Sequence, residues 1–448
     1  MESIHDLREI FTKIAVTGAR QGRSNVVTNT IKRVLDRESD AAFGVIDRFY
    51  HPADVSSVQR SKGTNTKVIL IKPVGDHCNL RCTYCYEIQR LTGSHEKVMS
   101  VEQIKQYLIN FVGRGSDVSD IFLHGGEPLL AGKKFFQAFI DTLKELGFYG
   151  HLTLGVQTNA TLLDQDWVDF FKEHKFNIGV SLDGDREFND KYRIDHKGRG
   201  SYDRVMKGIR LLQQNDIDFG IISVVSTDIA KIPGSARRIL NHHIDIGVKY
   251  VDIHPAFTPD DTSGSSAECN MSRQQYTDFM TELAYAWAQS SNPELRLRCM
   301  EDLLQNLSDV KSPSCYASGY CTSILGIDPS GAVSPCTRPF HEEYNFGNAG
   351  ELKLSELEDQ PAFKKFVADE QEGQNKASSR QWSVLCGSGN CPHERFTNGK
   401  QDPAGKHIFC SCHDQDDSTT GYPGFYKNFG KVLTEFHEWL LEAETVQL

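Results

Sequence analysis

GDHCNLRCTYCYE, residues 75–87, is the stretch on which the reading of this chain turns. It follows an apolar run, KVILIKPV at 67–74, that reads as a buried strand, so its three cysteines fall on the loop leaving that strand. Cys78, Cys82 and Cys85 are spaced C-x3-C-x2-C, with an aromatic, Tyr84, directly before the last. Three thiolates this close in sequence can hold three irons of a [4Fe–4S] cube and leave the fourth without a protein ligand, open to a small molecule. The alternative is a structural zinc knot, but such sites close with four ligands, usually as paired CxxC units.

A second motif lies about forty residues on. DIFLHGGEPLL, 120–130, carries GGEP (Gly125, Gly126, Glu127, Pro128) at the end of another apolar run. Alone it would be a Gly-Pro turn. Together the two motifs resemble the radical S-adenosylmethionine (SAM) superfamily, over about 67–304. The resemblance implies that the open iron chelates the methionine amino and carboxylate groups. It implies also that the GGEP segment binds the methionine ammonium, and that an electron from the cluster cleaves SAM to a 5′-deoxyadenosyl radical.

From there the chain alternates strand-like runs (67–74, 119–124, 152–157, 177–182, 218–225, 248–254) with amphipathic helical patterns such as 101–112, 166–174 and 202–214. Such alternation predicts a parallel sheet with right-handed crossovers. Six units match the partial (βα)6 barrel that the resemblance implies, an α/β fold whose chemistry sits at the C-terminal ends of the strands. The expected organisation is a helical N-terminal extension at 1–65, a radical SAM barrel at 66–304 and an auxiliary iron–sulfur domain at 305–448.

Strand-end residues supply the candidate site. Gln157, Asn159 and Ser181 are uncharged groups suited to ribose hydroxyls or adenine edges. Arg193, in NDKYRIDHKGRG, matches the family's arginine for the SAM carboxylate, a task suited to a guanidinium fork. On the sixth strand, alternation puts Asp252 and His254 on one face, either as catalytic groups of a substrate chamber or as a structural hydrogen-bonded pair.

The C-terminal third carries the second cysteine set. Cys315-x5-Cys321-x9-Gly331-x4-Cys336 resembles the opening of the SPASM domain, the auxiliary-cluster module of peptide-modifying radical SAM enzymes, with IDPSGAVSPC as a small hairpin. The remainder departs from that pattern: Cys386 and Cys391 stand in CGSGNCP, with one residue more than expected between them, and Cys410 and Cys412 follow. On this alignment Cys391 completes a first auxiliary [4Fe–4S] cluster with Cys315, Cys321 and Cys336. A second cluster would have Cys386, Cys410 and Cys412 and need a fourth ligand from His393, His413 or Cys299. Cys269 and Cys299 read as ordinary thiols.

Composition narrows the partners. The 448 residues carry a net charge of −11 with no basic run, which argues against nucleic acid, and no segment reads as a signal peptide or membrane span. A reducing, anaerobic or microaerobic cytoplasm is the expected setting. SPASM-type relatives mostly act on peptides, so a small precursor peptide and a flavodoxin- or ferredoxin-type reductant are the expected partners. Anaerobic sulfatase-maturating enzymes carry an Asp after the third auxiliary cysteine, where this chain has Thr337, and an aromatic and Gln before GGEP, where it has Leu123 and His124. LHGGEPLLAG, VQTNATLLD and GRGSYDRV look more like maturases that close cyclophane rings in ribosomal peptides. Cyclophane formation is therefore the first expectation, with formylglycine generation or thioether formation as alternatives. An iron–sulfur carrier without catalysis would need neither GGEP nor a barrel.

Overall fold

Seven strands follow one another in a single parallel progression. They are β1 (Val68–Ile71), β2 (Asp120–Leu123), β3 (Thr153–Thr158), β4 (Asn177–Ser181), β5 (Phe219–Val225), β6 (Tyr250–Pro255) and the short β7 (Arg296–Leu297). The molecule is described by a computed structural model covering residues 3–22, 24–36, 66–87, 98–113, 116–257, 269–308, 314–318, 321–338, 342–378, 382–386, 391–397, 400–409 and 422–445. Cys410, Cys412, His413, positions 37–65 and most of the polar stretch 258–272 lie outside the described residues.

The first six strands coincide with the apolar runs to within about three residues, as buried parallel strands should. Their side chains divide the core. Ile69, Ile71, Ile121 and Leu123 face the surrounding helices, while Val68, Leu70 and Phe122 turn inward, with Ile324, to plug the barrel. Gly155 on β3 makes room for that plug, since a Cβ there would stand 1.9 Å from the Phe122 ring. The helices are held by local chemistry. Ser100 caps Val101–Val112 and Gln103 returns the bond; Ser272 and Gln275 do the same for Arg273–Ala288. Outside the sheet, Phe136 meets Trp167 edge-on at 4.8 Å, and Trp167 stacks on Phe171 at 5.5 Å, which locks two neighbouring helices together.

At the other edge the sheet continues into the cysteine-rich third. β8 (Ile324–Ile327) pairs parallel with β1, and β9 (Ala332–Ser334) and β10 (Gly347–Asn348) extend it antiparallel. The β8–β9 pair is the hairpin expected from IDPSGAVSPC. Its fusion to β1 puts Cys315 and Cys336 against the barrel plug. At the termini, Ile4–Gln21 packs on Tyr422–Thr445, and Val26–Asp36 is tied to the barrel by Arg33 to Glu301 at 3.0 Å. Among the described residues no helix is long and apolar enough to cross a membrane.

Candidate active site

Backbone contacts fix the cysteine loop from two sides. Arg81 N–H donates to Ile194 O at 2.7 Å and Thr83 N–H to Tyr192 O at 3.1 Å, so the residues on either side of Arg193 brace the loop. From below, Gly126 N–H donates to Gly75 O at 2.9 Å and Glu127 N–H to His77 O at 2.8 Å. This close approach explains both glycines of GGEP. Gly125 has φ +104°, and a Cβ on Gly126 would lie 2.0 Å from His77 O. Lys72, buried at the end of β1, clamps the loop's two ends through Asp76 and through Glu87 at 2.8 Å. Burial pushes the Glu87 carboxyl up to about 7 against the pull of Lys72.

Above this loop lies a cavity with Cys78, Cys82 and Cys85 on one wall and Cys315, Cys321, Cys336 and Cys391 on another. Burial pushes the Cys78 thiol up to about 12, with Glu127 and Cys82 adding to it, and raises Cys82 and Cys85 as well. Burial likewise raises Cys315, Cys321 and Cys391, each further raised by neighbouring thiols. Thiols so crowded ionise together only around a cationic centre, which is what an iron–sulfur cluster provides. Arg193 beside Cys82, and Arg338 and Arg395 beside Cys391, flank the two sets with positive charge suited to an anionic cluster.

The structure redistributes several expected roles. Glu127 does not line the cavity. Its carboxylate accepts from Thr158 Oγ1 at 2.8 Å, Asn159 N–H at 2.8 Å and Leu129 N–H at 3.1 Å, and so ties GGEP to the end of β3. Burial pushes this carboxyl up to about 7, and its three donors pull the other way. Gly125 and Gly126 do line the cavity, as do Tyr84, Gln157, Asn159, Ser181 and Arg193. Gln157 donates to Ser181 Oγ at 3.0 Å. Asn159 donates to Asn79 Oδ1 at 2.8 Å and reaches within 3.7 Å of Cys78 Sγ, so it steadies the cysteine loop. Arg193 pairs with a carboxylate already present: its Nε lies 2.9 Å from Asp183 Oδ2, and Tyr84 donates its hydroxyl to the same oxygen. Asp183 belongs to the SLDG turn, and its part was missed.

His254 reaches the cavity, with Nε2 at 2.9 Å from Asp252 Oδ2, while Asp252 stays buried at 3.3 Å from Arg298. Tyr316 meets the His254 ring edge-on at 5.7 Å. Thr337 and His124, two of the three positions at which the sequence departs from sulfatase-maturating enzymes, face each other: Thr337 Oγ1 lies 3.4 Å from His124 Nδ1. That nitrogen also accepts from Gly125 N–H at 2.7 Å. Burial, aided by Lys72 and Arg338, pushes the His124 ring down to about 3, so it stands neutral.

Cys386 is separate from the four-cysteine wall, buried against Tyr426. Of the suggested fourth ligands, His393 lines the cavity between the Tyr86 and Phe257 rings, and Cys299 lies beside Asp252 and Asp302. Sequence reading overlooked a further hub: the buried Glu394 accepts from Arg338 at 2.7 Å, Tyr316 at 2.9 Å and His407 at 3.1 Å. Its only sequence signal was its place three residues after Cys391, in CPHER.

The two cysteine walls coincide with two family models. The radical SAM superfamily matches residues 73–234, and the SPASM iron–sulfur cluster-binding domain matches 315–392. This chain is a radical SAM/SPASM enzyme. Its cofactors are SAM, a radical [4Fe–4S] cluster and auxiliary iron–sulfur in the SPASM domain. It is similar to a cysteine-type anaerobic sulfatase-maturating enzyme of Clostridium novyi, 28% identical over 351 residues, which cover 76% of this chain and 92% of that protein. A serine-type anaerobic sulfatase-maturating enzyme of Bacteroides thetaiotaomicron is 25% identical over 76% of this chain and 86% of that one. In fold, the enzyme resembles anSMEcpe with bound AdoMet, with a TM-score of 0.72 at 23% identity, covering 84% of this chain and 96% of that one. The structure of anSMEcpe with AdoMet and the Cp18Cys peptide gives 0.71 at 22% identity, covering 84% and 99%. These relatives belong to the sulfatase-maturating group that the motif comparison had ranked second.

Proposed function

We propose that this enzyme oxidises a side-chain β-carbon of a peptide, removing two hydrogens. The supporting observation is one cavity walled by both cysteine sets, with a His–Asp pair opening into it. When bound, SAM and the radical cluster supply a hydrogen-abstracting organic radical. Cys78, Cys82 and Cys85 would hold that cluster, and Cys315, Cys321, Cys336 and Cys391 the auxiliary one. For SAM, the Gly125–Gly126 backbone would meet the ammonium, Gln157 and Ser181 the nucleoside, and Arg193, which is paired with Asp183, the carboxylate.

His254 would take the proton that leaves with the surplus electron. Asp252 accepts from Nε2 and so leaves Nδ1 as the basic nitrogen. Thr337 cannot take a proton near neutral pH, and His124 uses its Nδ1 to accept from Gly125 N–H. His254→Gln is expected to lower peptide oxidation by roughly 10²–10⁴-fold while SAM cleavage persists. Equal losses of both would assign His254 to SAM binding instead.

The curated relatives put formylglycine first among products, made from a Cys or Ser of a peptide. The facing pair Thr337 and His124 favours a second reading, ring closure from a β-carbon onto an aromatic side chain, because the expected carboxylate base is missing. Formylglycine from serine and the ring-closed product are each two hydrogens lighter than the parent peptide, so mass alone does not separate them; formylglycine from cysteine also exchanges sulfur for oxygen, with water consumed and hydrogen sulfide released, and is distinct in mass. The test is tandem mass spectrometry on reacted peptide with a hydrazine trap. A hydrazone at Cys or Ser is expected for the first reading. Suppressed backbone cleavage across a few residues including an aromatic, with no hydrazone, would establish the second. The electron source is proposed to be a flavodoxin- or ferredoxin-type protein.

A further inference from the structure

Arg338 and Glu394 form an ion pair that points at the auxiliary site. Arg338 Nη1 lies 4.0 Å from Cys391 Sγ and 2.7 Å from Glu394 Oε1, so the guanidinium stands close to the thiolate. The pair is held in place. The other Glu394 oxygen accepts from the Tyr316 hydroxyl and from His407 Nε2–H, and His407 Nδ1 accepts from Phe409 N–H at 3.3 Å. Burial keeps the His407 ring below its usual range, so it donates as a neutral imidazole and adds no charge of its own. Glu394 remains a carboxylate despite its burial, because His407 and Arg338 hold it there.

We propose that the Arg338–Glu394 pair sets the reduction potential of the auxiliary cluster. A [4Fe–4S] core of charge +2 on four thiolates carries −2, and one added electron makes it −3. A partly buried guanidinium beside one ligand favours the more negative state, and a buried carboxylate opposes it; where they act through protein, salt screens little. The inference rests on the auxiliary cluster being present and not on which product the enzyme makes.

Opposite charges give opposite expectations, which a packing role would not. In an EPR-monitored redox titration of the anaerobically reconstituted enzyme with SAM present, Arg338→Gln should move the auxiliary midpoint to more negative potential. Glu394→Gln should move it to more positive potential. Arg338→Lys, which keeps the charge, should stay near the parent value, and the radical cluster should be unmoved in all three. If Arg338→Gln loses auxiliary iron, the decision falls to the other two variants. An unmoved or negative shift in Glu394→Gln, or a large shift in Arg338→Lys, overturns the proposal.

Discussion

Replacing Cys78, Cys82 and Cys85 together by Ala is expected to abolish 5′-deoxyadenosine formation and remove about four irons per chain, with the far-UV circular dichroism unchanged. The fold should survive because little of the loop's anchorage runs through sulfur. Its backbone is held by Ile194 O, Tyr192 O and the GGEP amides, and its ends by Lys72 with Asp76 and Glu87. Removing the thiols also removes three partly buried groups that resist ionisation when no cluster is there. Auxiliary iron should remain, because Cys315, Cys321, Cys336 and Cys391 lie on the other wall. SAM cleavage at the parent rate in the triple variant would remove the three-cysteine loop from the chemistry altogether.

What the sequence made legible is what local pattern encodes. β1 to β6 are apolar runs bounded by turn residues, and helices such as Val101–Val112 announce themselves through a cap and a return bond, Ser100 with Gln103. Metal ligands are legible for a similar reason, since clustered thiols have few other uses in a reducing compartment. Charged partners are a different matter. Lys72 lies inside an apolar run, and nothing near it in sequence says that it will be buried between two carboxylates. Arg338 and Glu394 stand 56 positions apart, and only the fold brings them together. The parallel pairing of β8 with β1 is equally remote: the hairpin was readable from its turn, but the strand it joins was not. Glu127 shows a further limit. A residue inside a recognised motif was read as touching the cofactor, whereas its oxygens are occupied by the far end of β3. A motif residue can be required for the shape of a site without facing it.

That distinction carries the second large effect. Gly126→Ala is expected to cost about 1–3 kcal/mol or more in stability and to eliminate SAM cleavage. The added Cβ would sit 2.0 Å from His77 O and 2.7 Å from the Asp76 carbonyl carbon. Both are backbone, so no side-chain rotamer relieves the overlap, and the cysteine loop must lift from GGEP. Lifting it breaks Gly126 N–H to Gly75 O and Glu127 N–H to His77 O, and pulls on the Glu127 carboxylate that holds the end of β3. Asn159 would then lose its register with Asn79 and Cys78. Radical-cluster iron should fall with activity, whereas auxiliary iron should not. Gly132→Ala is the control, since nothing lies within 4 Å of a Cβ there, although its φ of +79° carries its own strain. Should Gly126→Ala keep full iron and SAM cleavage, the contact between GGEP and the cysteine loop is not what shapes this site.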